Sequence, residues 1–448
     1  MFNPARPYFY LLAYIAIVYL RPQEYVPALL ESPLVPVSLL IAAVFWLFAQ
    51  PRNFEAPQHA LLVGLLFAIF LSVLMTGWLT GAANAFMDFL PTMLLFYMVA
   101  TSVDSLKRFR EMAIVLTILS VVMAYHGIDQ AASETGIGWT GAKTIEGRIT
   151  YLGFLSDPND LSMVFLMTLP FALYLSKVSS SFIFRLAYLA AAGVILYGVY
   201  LCNSRGSVLG LASMLFVYGV HRYGWVRSLI VVPLMLGPLL VLGPSRMNEM
   251  SADEESAAGR IDAWYEGFDM LRSHPIFGVG KGLFGEHNGN LTAHNSFVLA
   301  IAELGVFGYF FWLSIVFVSG VMLYRILRSE EPPPSVAMPS NRQPPVAPWS
   351  PAPPREPPLQ WPDLQLVAST LAYASIGSLV AAFFLSRSYV VFLYLLMALI
   401  VAVYQMTRAR WPTFAPVRFG DLVGRVVLLE FGSIVFLWLL TAVLLSMS

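Results

Sequence analysis

Residues 389–407 read YVVFLYLLMALIVAVYQMT, nineteen positions without a charge. A hydrocarbon core about 30 Å thick needs roughly 20 mostly apolar residues per helix, so this stretch reads as a membrane span. The same ruler laid along the chain finds companions near 7–20, 33–49, 59–78, 86–102, 111–127, 159–176, 182–201, 206–221, 227–244, 296–324, 365–386 and 426–447. The fold class expected is therefore all-α, a polytopic integral membrane helical bundle of about 12–13 spans. The first segment is short and lacks a small-residue cleavage site, so it reads as a tilted or interfacial helix and not as a removable signal peptide.

Composition points the same way. Apolar residues make up 58% of the 448 before glycine is counted, and charged residues only 12%. A soluble chain of this size needs more polar surface to cover what it buries. Lys plus Arg and Asp plus Glu balance at 26 each, and no basic stripe with interleaved aromatics exists, so nucleic acid is not an expected partner. The single cysteine, Cys202, excludes internal disulfides and a thiolate metal cluster.

Cytoplasmic loops retain Lys and Arg. Alternating the spans from an inside N-terminus puts 17 of the 26 basic residues inside. The nine outside are Arg21, Lys143, Arg148, Arg205, Arg246, Arg260, Arg272, Lys281 and Arg387, most of them in the two longest outside stretches. The layout expected is spans over 1–244, a large outside loop over 245–295, a span over 296–329, a cytoplasmic linker over 330–362 and C-terminal spans over 363–448. The large loop carries eight acidic and four basic side chains, and the linker holds 13 of the 30 prolines, a composition that spaces and cannot build a core.

A charge at a helix centre costs about 2.5 to 3.5 kcal/mol on insertion scales, so charges at outer helix ends invite individual readings. Arg205, in Asn203-Ser204-Arg205-Gly206, sits against the positive-inside bias. A guanidinium there can snorkel to headgroups or fork onto phosphate oxygens at a helix N-terminus. Arg260 opens a stretch in which Ile261, Trp264, Phe268 and Leu271 recur at helical spacing, as expected of a helix that lies along the membrane surface or packs on the bundle with its acidic face in water. Gly278-Val279-Gly280-Lys281-Gly282 lacks the Walker spacing and reads as a tight turn or a close backbone approach. His294 and Asn295 stand at the entry to a span. Imidazole suits a proton acceptor near neutrality, nearby arginines favour its neutral form, and the histidine spacing is poor for a metal. In Ser156-Asp157-Pro158-Asn159-Asp160, Asp157 or Asn159 can cap the following helix, with Lys143 and Arg148 earlier in the same loop.

Taken in order, these motifs resemble the O-antigen ligase family, within the group that includes O-antigen polymerases and O-oligosaccharyltransferases. The resemblance covers roughly residues 150–320. It rests on the helix start at 157–161, Ser204-Arg205-Gly206, Gly259-Arg260 to Trp264, His274-Pro275 to Gly280, Ala293-His294-Asn295-Ser296-Phe297 and Glu303-Leu304-Gly305. It implies an inverting glycosyltransferase in the bacterial inner membrane, without metal or other cofactor. Such an enzyme moves a glycan from undecaprenyl pyrophosphate to a hydroxyl acceptor, the lipid A core oligosaccharide, on the periplasmic side. Arg205 and Arg260, with Arg148, would then hold the donor pyrophosphate and His294 would activate or orient the acceptor, supported by Asn295, Asp157 and Asn159. Family ligases have twelve spans against the thirteen counted, and the proline linker is longer than the pattern requires. Polymerisation of lipid-linked glycan and protein glycosylation are the near alternatives. A small-anion transporter, bicarbonate-like, is the distant one, since Asp88 and Glu430 are the acidic candidates within spans.

Overall fold

A lipid-facing backbone must satisfy its own hydrogen bonds, so apolar runs of this kind become helices. The computed structural model describes residues 5–49, 52–230, 234, 250–331 and 359–447. The chain runs through α1 (Ala5–Leu20), α2 (Leu34–Leu47), α3 (Pro57–Leu74), α4 (Leu79–Ser102), α5 (Leu106–Ala132), α6 (Pro158–Val178), α7 (Phe182–Cys202) and α8 (Arg205–Tyr223). After these come α9 (Met250–Ser273), a single turn at Phe284–His287, α10 (Ser296–Arg328), α11 (Trp361–Ala382), α12 (Val391–Arg410) and α13 (Val423–Met447). Among the described residues there is no strand, only two isolated bridges in the loop after α5.

Nine described helices are long and apolar enough to cross a membrane: α3 to α7 and α10 to α13. The multi-pass, all-helical reading holds. The other expected spans differ in instructive ways. At 1.5 Å per residue the fourteen residues of α2 reach about 21 Å, short of a full hydrocarbon core. The sixteen residues of α1 reach about 24 Å. Most of the expected span at 227–244, Arg246 and most of the 330–362 linker lie outside the described residues.

Burial separates core helices from lipid-facing ones. The apolar window of α12 is 89% buried, whereas those of α7 and α13 are 22% buried. α12 thus runs through the bundle, and α7 turns Phe182, Ile183, Phe184 and Leu186 outward, as a helix solvated by acyl chains can.

The ends expected inside and outside segregate in space. At one end Tyr8 at the start of α1 donates to the Arg108 carbonyl of α5, Trp46 bonds Thr101 at 2.8 Å, and the Trp361 and Trp411 rings meet edge to face. At the other end the start of α6, the α7–α8 turn, α9, the start of α10 and the α11–α12 connection come together. The latter is the end at which the sequence places its anomalous arginines.

α10 is broken. Gly305 has φ +59° in mid-helix. The freed backbone groups are taken up by residues 275–280: Val279 N–H donates to Ala302 O and Gly280 N–H to Glu303 O, both at 3.0 Å, while Val306 and Phe307 donate to Pro275 and Ile276. A β-carbon on Gly278 (φ +71°) would stand 2.4 Å from the Glu303 carbonyl. The glycine-dense turn is therefore a close backbone approach, as its composition suggests.

Candidate functional site

The outer end is built from helix termini, whose last carbonyls and first amides need partners. Asp157 caps α6 by accepting from Asn159 N–H at 2.7 Å, with Pro158 at the first helical position. Arg148 clasps two helices. Its Nη2 donates to Asn159 Oδ1 at 2.7 Å and its Nε to the Cys202 carbonyl at the end of α7 at 2.9 Å. Asn203, left-handed at φ +44°, turns the chain, and Ser204 caps α8 by accepting from Ser207 N–H. Arg205 is then the first residue of α8, and its side chain is exposed. Beside it Gly206 lets Phe384 approach; a β-carbon there would lie 3.0 Å from Phe384 Cβ.

Of the two seatings that its spacing allows, α9 packs on the bundle at this end, but it begins at Met250, so Arg260 stands within the helix and does not open it. Trp264 is buried with its ring edge to face with Phe383 at 5.7 Å, and Phe268 and Leu271 pack on the core. Asp262 and Asp269 face outward. This seating leaves Arg260 half-buried over the bundle.

His294 occupies a strained position. Its φ is +47°, a region sparsely used by residues with side chains, and such strain concentrates at functional sites. Its N–H donates to Ser386 Oγ at 2.8 Å. The next residue, Asn295, is fully buried and caps α10, its Oδ1 accepting from Phe297 and Val298 N–H at 2.9 and 3.2 Å.

Electrostatics tie these groups together. Burial first, and then the Arg260 guanidinium, hold the His294 pKa below the ordinary histidine value, with Arg387 acting the same way and Asp157 opposing. Burial and the neighbouring Arg205 charge lower the Arg260 pKa, again opposed by Asp157. An arginine stays protonated regardless. Two guanidiniums and a neutral imidazole from three separate stretches of chain therefore share one local field. Such a place can stabilise an oxyanion and accept a proton. No group of three or more His, Cys, Asp or Glu side chains that could hold a metal ion is present among the described residues.

Of the residues singled out from sequence, Arg205, Arg260, His294 and Asp157 gather here. Asn159 and Asn295 serve the helix starts, and Arg148 is engaged by Asn159 and by the Cys202 carbonyl of α7. Sequence reasoning missed Asp160 and Arg387. The Asp160 carboxylate is 2% exposed and takes a bidentate ion pair from Arg387 in the α11–α12 connection, with Nε to Oδ1 at 2.5 Å. The signal was available, since Arg387 stands at an outer helix end as Arg205 does.

Residues 190–313 match the family described as O-antigen ligase. The match runs from within α7 to within α10 and contains Arg205, Arg260 and His294, and the resemblance read from the sequence is consistent with it. Members of this family are glycosyltransferase-like enzymes, ligases and polymerases, that act on lipid-linked glycans and acceptors in general. No curated protein matches the chain.

Proposed function

We propose that this protein is an O-antigen ligase-type inverting glycosyltransferase of the bacterial inner membrane. It transfers a glycan from undecaprenyl pyrophosphate to a hydroxyl of the lipid A core oligosaccharide on the periplasmic face. The observation that carries this reading is the shared field of Arg205, Arg260 and His294, three groups distant in sequence and all within the stretch that matches the family.

The chemistry follows from the groups. The acceptor oxygen attacks the anomeric carbon from the side opposite the phosphate, and a C–O bond forms as the C–O bond to pyrophosphate breaks. The bonding electrons leave with the pyrophosphate, whose growing charge faces Arg205 and Arg260. A guanidinium fork matches phosphate oxygens without needing a metal. The acceptor proton passes to His294, which is neutral and so competent to receive it. Arg148, engaged through Nε and Nη2 by the Cys202 carbonyl and Asn159, would add its positive charge to the donor pyrophosphate site. Alignment of the acceptor against a good leaving group is then the main remaining demand.

The test is Arg205→Ala, Arg260→Ala and His294→Ala in cells whose surface polysaccharide is resolved on gels. Loss of glycan attachment at normal membrane levels of the protein is expected for each. Wild-type attachment in all three would remove the site. The same gels separate acceptors: product on lipid A core supports the ligase, long lipid-linked chains indicate polymerisation, and modified protein indicates protein glycosylation.

A further inference from the structure

The connection between α11 and α12 touches the catalytic histidine's segment through residues 385–388. Ser386 Oγ accepts from His294 N–H at 2.8 Å. Ser296 Oγ donates to Leu385 O at 2.6 Å and accepts from Arg387 N–H at 2.9 Å. Ser388 Oγ donates to Ser296 O at 2.6 Å. These bonds join two stretches about ninety residues apart, and they end on His294 and the residue two after it. What fixes the strap itself is Arg387, whose guanidinium grips the buried Asp160 carboxylate with two parallel bonds. Asp160 stands in the first turn of α6, one residue after the asparagine that holds Arg148.

We infer that Asp160 and Arg387 are a positioning pair: by pinning residues 385–388 to α6 they hold His294 in its left-handed conformation, where its imidazole meets the acceptor. The inference rests on the reading of the site given above. The pair acts through the backbone of the strap and does not touch the donor. A bidentate fork suits this task better than a lysine, because two bonds fix an orientation as well as a distance.

The experiment uses the full chain in nanodiscs, with undecaprenyl-pyrophosphate-linked glycan as donor and purified rough lipopolysaccharide as acceptor. The variants are Arg387→Gln, Arg387→Lys, and Asp160→Asn combined with Arg387→Gln. Arg387→Gln should lower kcat about 10- to 100-fold, the order of loss that accompanies a misplaced catalytic group, while the donor KM and the affinity for undecaprenyl pyrophosphate stay within about twofold. Arg387→Lys should recover only part of kcat. The double variant removes the lone buried charge, so its unfolding temperature should return toward wild type while kcat stays low; a purely structural role would restore both. Hydrogen exchange gives a readout independent of turnover, because amide protection at 294–297 should fall in Arg387→Gln. Unchanged protection, an unchanged kcat, or a donor KM rising in parallel would overturn the inference. Failure of the underlying reading shows differently, as full transfer by Arg260→Ala.

Discussion

The two ends of the bundle use charge in different ways. At the end opposite the site, Arg108, Arg408 and Arg52 find their partners nearby in the chain. Arg108 bonds Ser102 O and Asp104, both at 2.8 Å and within six residues, Arg408 bonds Pro412 O, and the Arg52 guanidinium stacks over Trp46. These are arginines that cap carbonyls and lie against apolar surface near an interface. At the outer end the pairing is long-range: Asp160 and Arg387 are 227 residues apart, and Arg148 reaches α7 from 54 residues away. Volume would mislead here. A cavity of about 620 Å³ lies at the opposite end, lined by Tyr8, Phe9 and Leu12 with Asp104, Glu111, Lys107 and Arg108, two acids against two bases. The outer end gathers Arg205, Arg260 and His294 in one local field, opposed by Asp157. A field held between distant segments, and not cavity size, sets this end apart from the opposite one.

Removing a guanidinium should break this comparison most visibly. Arg260→Ala is expected to cut transfer about 10²- to 10³-fold, the usual loss when one charge-stabilising donor is deleted. Arg325→Ala, which removes a bond to Pro416 O at the opposite end, should leave transfer within about twofold. Initial rates on equal amounts of membrane protein decide it, and equal losses in both variants would erase the distinction.

A smaller effect separates the two ends by backbone. Gly278 and Gly224 both have positive φ, +71° and +85°. Gly224, after α8, has open space where a β-carbon would go, so Gly224→Ala should cost only the backbone strain of its positive φ, about 1 to 3 kcal/mol. Gly278→Ala adds a clash with the Glu303 backbone, and overpacking costs about 1 to 3 kcal/mol more. Thermal unfolding of the two variants side by side should rank Gly278→Ala clearly lower; identical shifts would mean that residues 275–280 do not seat in the break of α10.

The caps give a finer contrast. Asn295 accepts two amide bonds while wholly buried, whereas Ser105, capping α5 at the opposite end, accepts one at 3.4 Å. Asn295→Ala should therefore cost about 1 to 2 kcal/mol and Ser105→Ala about 0.5 kcal/mol, again by thermal unfolding. An equal cost would show that the outer cap is no more firmly built than the inner one.

What could be read beforehand follows from the range of the interactions. Apolar runs set the helices because lipid leaves no other option, and caps such as Asp157 and Ser204 are visible within a few residues of what they serve. Arg205 and His294 stood out as polar groups at outer helix ends, and Arg260 as a basic residue at the head of an amphipathic stretch in the large loop. The partnership of Asp160 with Arg387 left no local trace; it exists only once α6 and the α11–α12 connection are neighbours. The break in α10 was hidden for the same reason. Residues 296–324 read as one span interrupted only by Glu303, and nothing in it says that residues 275–280 will supply the hydrogen bonds Gly305 gives up. Glu303 was quoted as part of a motif, yet its role, accepting from Gly282 N–H at 2.9 Å, belongs to that same inserted turn.

The smallest expected effect tests the field itself. His294 accepts a proton only when neutral, so transfer should be present above its pKa and lost as pH falls through it. Burial and Arg260 hold that pKa below the ordinary value of 6.5, so the acid limb of the rate profile should lie on the acidic side of 6.5. The charged groups acting on the ring are Arg260 and Arg387, which lower its pKa, and Asp157, which raises it. Asp157→Asn removes the opposing charge and keeps the α6 cap, because asparagine caps a helix as well as aspartate does. The acid limb should then move to still lower pH, by a fraction of a unit. A move toward neutrality would mean that Asp157 does not act on the ring as a negative charge, and a limb that stays put would assign the titration to a group other than His294.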